Sequence, residues 1–301
     1  MTAVDVRIYE VGPRDGLQAE PTLVATEDKL RFVELLADAG LREIETTSLV
    51  SPRAVPQLAD AEQLLAALER RPAVRYPVLV PNQRGLERAI AADVNAICLV
   101  TAATDSYVRH NIGMSQAESL AVFEPIAAEA RRRGWWIRAY VSTAFGCPYE
   151  GEVEASAVVA VSERLRSIGV DELAISDTLG VAAPADVDRV LGALLDAGIG
   201  PDMIGLHFHD TRGTALANVI AALEQGVTTF DASTGGTGGS PFAPGAAGNL
   251  ATEDLVYLLD RQGLRHGVDL DAVLDAARFI GAALGRSEPV SKLGRAGGWP
   301  G

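Results

Sequence analysis

Eight times along this chain a short apolar run, often β-branched, gives way to a longer stretch with helical periodicity. The runs fall near 4–10, 42–47, 74–80, 94–100, 136–145, 171–176, 202–209 and 227–232, bounded by Gly, Pro or Asp, and read as strands. The helical patterns fall near 27–39, 57–70, 83–91, 116–133, 153–167, 184–196, 213–224 and 252–261. Eight strands, each followed by a helix, is the count of a closed parallel barrel, because each unit adds one strand and the helix that covers it. A doubly wound open sheet is the alternative, but it needs fewer units and a glycine fingerprint after its first strand. Here the first strand runs into Gly12-Pro13-Arg14-Asp15-Gly16, which lacks that spacing. The expected fold is therefore α/β, a (β/α)8 TIM barrel, with an additional C-terminal helix near 269–283.

Local signals support the helix starts. Ser115 with Glu118 has capping-box spacing, Pro184 suits a first helical position, and Thr252 followed by Glu253 and Asp254 places a cap and then acid at a helix start. No linker or charge block divides the chain, so 1–301 reads as a single catalytic domain, with 285–301 a loosely ordered tail ending in GRAGGWPG.

Composition narrows the function classes. The residues are 48% apolar but only 5% aromatic, so the core must be mainly aliphatic, as stacked barrel layers require. A formal charge of −14 repels phosphate backbones and anionic lipid, which argues against nucleic-acid and membrane partners. An anionic substrate would need a local basic group, and Arg14 is one candidate. Two cysteines, Cys98 and Cys147, are too few for a disulfide framework and fit a reduced, cytoplasmic protein. The opening MTAVDVRIYEVG has neither signal-peptide nor transit-peptide character, and no apolar run approaches the roughly 18 residues of a spanning helix.

In such barrels the functional groups stand at the C-terminal ends of the strands. Unusual polar residues collect there. The first strand ends in Arg14-Asp15, the second carries Glu45 with Thr46, Thr47 and Ser48, and the sixth ends in Ser176-Asp177-Thr178. The seventh ends in His207-Phe208-His209-Asp210, and after the eighth comes the glycine-rich 233–240 stretch and then Gly248-Asn249. His207 and His209 are spaced i, i+2, so both imidazoles point to one face of their strand. Asp15 belongs to the strand on the far side of the eighth, near enough to join them in a closed barrel. Two imidazoles with carboxylate and amide oxygens suit a divalent ion, magnesium or manganese first and zinc as an alternative. Without thiolates, a structural zinc site is not indicated. Arg14, permanently charged, could stabilise a developing enolate or bind a substrate carboxylate. Glu45 and Asp177 could serve as its structural partners. The 234–240 stretch reads as a mobile lid.

Longer strings carry a resemblance. VGPRDGLQ at 11–18, IETTSLVSPRAVPQLAD at 44–60, FGCPYEG at 145–151, SDTLGV at 176–181, GLHFHDTRGTALAN at 205–218 and GNLATEDLVYLL at 248–259 together resemble the 3-hydroxy-3-methylglutaryl-CoA lyases, over nearly the whole chain. The resemblance implies metal ligands at Asp15, His207, His209 and Asn249, a catalytic arginine at Arg14, supporting carboxylates at Glu45 and Asp177, and a proton-transfer position in the glycine loop at Ser240. It implies a retro-Claisen cleavage of a hydroxyacyl-CoA, with Asp15 or a water it orients as base and His207 a possible donor.

The chain departs from the family twice. Ser240 stands where the family has a cysteine, and Gly285 and Ser287 flank Arg286 where it offers Asn and Lys to coenzyme A. A serine hydroxyl is a poorer acid or base near neutral pH than a thiol, so a shifted substrate is one reading. The alternatives are an aldolase or lyase acting on another hydroxy acid, and a catalytically silent binding subunit. A homo-oligomer is the expected assembly.

Overall fold

The computed structural model of the chain describes residues 5–239 and 248–297. Its strands are β1 (Arg7–Glu10), β2 (Glu43–Ile44), β3 (Thr47–Ser48), β4 (Val78–Leu79), β5 (Ala96–Ala102), β6 (Trp136–Ser142), β7 (Glu172–Asp177), β8 (Ile204–Phe208) and β9 (Thr229–Ala232). All pairings are parallel, in the order β2-β1-β9-β8-β7-β6-β5-β4-β3. The two ends of that order are halves of one interrupted strand. Glu43–Ile44 pairs with β1 and Thr47–Ser48 with β4. At the interruption Glu45 N donates to Glu10 O (2.9 Å) and Thr46 N to Pro77 O (3.0 Å). The sheet therefore closes on itself as the expected eight-stranded barrel, and its second strand switches partners halfway along.

The helices are α1 (Thr26–Asp38), α2 (Ala61–Ala67), α3 (Gln83–Ala91), α4 (Asp105–Ile112), α5 (Gln116–Arg132), α6 (Ala155–Ser167), α7 (Pro184–Asp196), α8 (Ala215–Glu224), α9 (Thr252–Gln262), α10 (Leu270–Ala283) and α11 (Lys292–Arg295). The Ser115–Glu118 capping box forms, and Pro184 opens α7. Thr252 differs from its expected role: Ala251 is the cap, and the Thr252 hydroxyl donates to Glu10 Oε2 (2.7 Å). Asp254 accepts from the N–H groups of Lys292 and Leu293 (3.0 and 2.7 Å), Leu293 is buried, and Lys292 pairs with Asp210. Residues 298–301 lie outside the described residues. No helix among the described residues is long and apolar enough to cross a membrane.

The aliphatic core lies between strands and helices rather than inside the barrel. Ile137, Ala139 and Val141 of β6 and Ile204, Leu206 and Phe208 of β8 face outward into that layer. Strand alternation then sends Arg138, Tyr140, Gly205 and His207 inward. The interior holds a small cluster of Tyr9, Val11, Leu79, Cys98, Tyr140 and Ala174, and beside it a buried charged lattice. Arg138, 0% exposed, donates to Glu172 through Nε (2.8 Å) and to both oxygens of Asp231 (3.0 and 2.6 Å), with its guanidinium over the Tyr9 ring at 3.8 Å. Gly205 makes room for it, since a Cβ there would stand 2.6 Å from Arg138 Nη2. Charge inside the barrel is tolerated because each group is paired and hydrogen-bonded.

Candidate active site

Three chain segments meet at the C-terminal mouth. The first follows β1, where Val11 O accepts from the N–H groups of Arg14, Asp15 and Gly16 (3.2, 2.8 and 3.1 Å). This single wide helical turn, Gly12–Gly16, points Arg14 and Asp15 over the barrel opening. The second is the end of β8, whose inward residues are His207 and His209. The third, residues 248–251, lies between the ends of β8 and β9. Leu250 N donates to Phe208 O (3.0 Å), Ser233 N to Leu250 O (2.8 Å), and His209 bridges to Asn249. That pairing carries Asn249 to the histidines from forty residues downstream.

The result is a compact cluster of candidate metal ligands. One ligand atom each from Asp15, His207 and His209 lie within 4.8 Å of one another. Asn249 Nδ2 donates to Asp15 Oδ2 (2.9 Å). Gly238 permits this approach: its φ is +99°, and a Cβ would stand 2.8 Å from Asn249 Nδ2. Two polar atoms in the cluster, His209 Nδ1 and Asn249 Oδ1, are buried without a hydrogen-bond partner. Buried polar atoms are rarely left so, and a divalent cation would give both of them a partner.

The protonation states agree. Burial opposes ionisation of Asp15, but Arg14 and the two imidazoles outweigh it and bring the carboxyl to about 2. Burial and the neighbouring His207 bring His209 down to about 3. Near neutral pH the set is a carboxylate with an uncharged His209, the forms that bind a divalent ion without displacing a proton.

Arg14 is only 4% exposed, yet it stays charged. Burial works against the cation, while Glu45 and Asp15 hold its pKa well above the usual arginine value. Nε donates to Glu45 Oε1 (2.5 Å) and Nη1 to Asp15 Oδ1 (2.6 Å). Glu45, fully buried, also accepts from the Tyr140 hydroxyl. Burial, and next the Glu45 charge, push the Tyr140 pKa well up, which keeps that hydroxyl protonated as donor. Asp177 stands apart from Arg14. Its oxygens accept from Val181 N and Ala182 N (3.0 and 2.9 Å), shaping the loop after β7.

The expected lid differs from the structure over its described part. Residues 233–239 are fastened rather than free: Thr234 bonds to Glu10 through N (2.9 Å) and Oγ1 (2.6 Å), Gly235 N donates to Glu253 (3.0 Å), and Gly238 N to Glu20 (2.8 Å). Ser240 lies outside the described residues.

Glu10 is the fastener that the motifs do not announce. It is 0% exposed and accepts from Gly12 N, Thr234 N and the hydroxyls of Thr234 and Thr252, tying the arginine turn to the glycine stretch. Glu10→Ala should destabilise the protein by about 3 kcal/mol, since each orphaned buried donor costs roughly 1–3 kcal/mol and relaxation recovers part. Urea unfolding checks this, and a loss under about 1 kcal/mol would contradict it.

A closed parallel barrel with a carboxylate–bis-imidazole cluster at its C-terminal mouth, beside a buried arginine, defines a metal-centre barrel enzyme. The HMGL-like family matches residues 5–280, and the chain belongs to that family. The hydroxymethylglutaryl-CoA lyase of Bacillus subtilis strain 168 is 46% identical over 288 residues, 96% of each chain. The crystal structure of the Bacillus subtilis HMG-CoA lyase superimposes with a TM-score of 0.95 at 45% identity, over 98% of this chain and 99% of that one. An HMG-CoA lyase from Acinetobacter baumannii, solved with coenzyme A and 3-methylmalate, gives 0.94 at 39% identity, over 100% and 98%. The chain is a carbon–carbon lyase.

Proposed function

We propose that the protein cleaves 3-hydroxy-3-methylglutaryl-CoA between the carbon α to the thioester and the hydroxyl-bearing carbon, giving acetyl-CoA and acetoacetate. The single observation that carries this reading is Arg14 held against Asp15 in the same mouth as His207, His209 and Asn249. A divalent ion on Asp15, His207, His209 and Asn249, magnesium or manganese by the donor chemistry and zinc as an alternative, would lower the pKa of a bound hydroxyl and polarise a carbonyl. Asp15, or a water it orients, takes the proton from the tertiary hydroxyl. As the bond breaks, its electron pair moves onto the thioester fragment as an enolate, and Arg14 stabilises that charge. Glu45 holds Arg14 in place and Asp177 holds the neighbouring loop. A proton then returns to the enolate carbon, with Ser240 the candidate donor.

The substrate's charge fits a guanidinium set into an otherwise acidic protein. The two unpaired, buried cysteines suit a reduced cytoplasm, and we place a homo-oligomeric enzyme there. A panel of hydroxyacyl-CoA thioesters and the corresponding free hydroxy acids, assayed with manganese, tests the reading. Preference for the methylglutaryl thioester is expected. Turnover confined to a free hydroxy acid would assign the aldolase alternative instead.

Ser240 yields a separate prediction. Ser240→Cys should raise kcat on the methylglutaryl thioester, because a thiol with a pKa nearer neutrality transfers protons more readily. An unchanged kcat would mean that the proton arrives by another route.

A further inference from the structure

We infer that Asp231, braced by Arg138, is a positioning residue that fixes the tautomer and aim of His207; the inference builds on the metal-centre reading above. His207 and Asp231 face each other in register across β8 and β9, so both side chains point into the barrel. His207 Nδ1 lies 3.0 Å from Asp231 Oδ2. That carboxylate has little freedom. It is 1% exposed and its two oxygens already receive Arg138 Nη1 and Nη2.

Arg138 is itself fixed by Glu172 below and by Tyr140 Oη (3.0 Å) above. A carboxylate locked in this way can only accept from the imidazole. Nδ1 therefore carries the ring proton, and Nε2 is left as the lone-pair nitrogen for the cluster with Asp15 and His209. Tyr140 packs edge-on against the His207 ring with centroids 5.9 Å apart and limits its rotation. The same Tyr140 donates to Glu45, which holds Arg14. One buried chain of contacts thus runs from Arg14 through Glu45, Tyr140, Arg138 and Asp231 to His207. It sets the enolate-stabilising arginine and one metal ligand relative to each other from beneath the site.

Asp231→Asn discriminates this role from simple packing. An amide of the same shape must turn an NH2 toward Arg138 or toward His207, so one donor meets another and the single tautomer is lost. Manganese binding to the purified variant, followed by electron paramagnetic resonance, should weaken about 10–100-fold. Wild-type affinity in a folded Asp231→Asn protein would overturn the inference. A second readout needs no variant to fold: long-range 1H–15N spectra of 15N-histidine-labelled wild-type protein report the ring tautomer directly. A proton on His207 Nδ1 is expected, and a proton on Nε2 alone would overturn the assignment. Should the wild type show the expected tautomer but bind no manganese, the metal-centre reading would fall while the orientation by Asp231 stood.

Discussion

Arg14→Gln lowers kcat by about 10²–10³-fold, the range for removing one preorganised donor to a developing oxyanion, and leaves KM for the thioester changed only several-fold. Arg14 is buried, doubly paired and permanently charged, so no reorganisation is needed when charge appears on the enolate. Its bonds to Glu45 and Asp15 fix the direction of the guanidinium. Glutamine keeps a donor but loses the charge and the forked geometry. Steady-state kinetics separate the possibilities. A fall in kcat and kcat/KM together places Arg14 in the transition state, and a change confined to KM would reduce it to a ground-state anchor.

His207→Ala should abolish stoichiometric manganese binding and, with it, turnover. The variant removes one of two imidazoles from the cluster and leaves His209 Nδ1 and Asn249 Oδ1 still without partners. Arg138 and Asp231 keep each other paired, so the barrel interior stays neutralised and the protein should fold. Equilibrium dialysis with manganese reads the stoichiometry. One ion per chain at unchanged affinity would remove His207 from the ligand set.

The parts legible in the sequence are those governed by short-range periodicity. Eight alternating units specify a barrel because each strand's neighbours follow from chain order. His207-Phe208-His209 specifies a two-imidazole face because side chains alternate along any strand. Asp15 joins by the same reasoning, since β1, β9 and β8 must be adjacent in a closed barrel, as they are. Asn249 is reached through its motif, and the structure supplies the physical reason in the bridge to His209.

The remainder depends on contacts that periodicity does not encode. Arg138 and Asp231 are 93 positions apart, and their pairing needs the barrel's interior geometry as well as its strand order. A signal was present, because Arg138 and Tyr140 occupy the polar alternate positions of Trp-Ile-Arg-Ala-Tyr-Val-Ser, yet a mainly aliphatic composition points toward apolar interior layers. The glycine-rich stretch likewise suggests mobility by composition. Its described part is tied down by Glu10, Glu20 and Glu253 from three separate segments of the chain. The 285–297 stretch carries few apolar residues, and its polar contacts to the barrel run through Asp254 and Asp210. Helix starts read from Ser, Thr and Pro succeed at Ser115 and Pro184 and miss at Thr252, where a buried glutamate competes for the hydroxyl.

The most direct test of the account is product analysis on a metal-stripped and then metal-restored enzyme. Purified protein freed of divalent ions by chelation should leave 3-hydroxy-3-methylglutaryl-CoA intact. Restored with manganese, it should release acetyl-CoA and acetoacetate in equal amounts. Cleavage that persists undiminished without metal, or an intact thioester in the presence of the manganese-loaded protein, would contradict it.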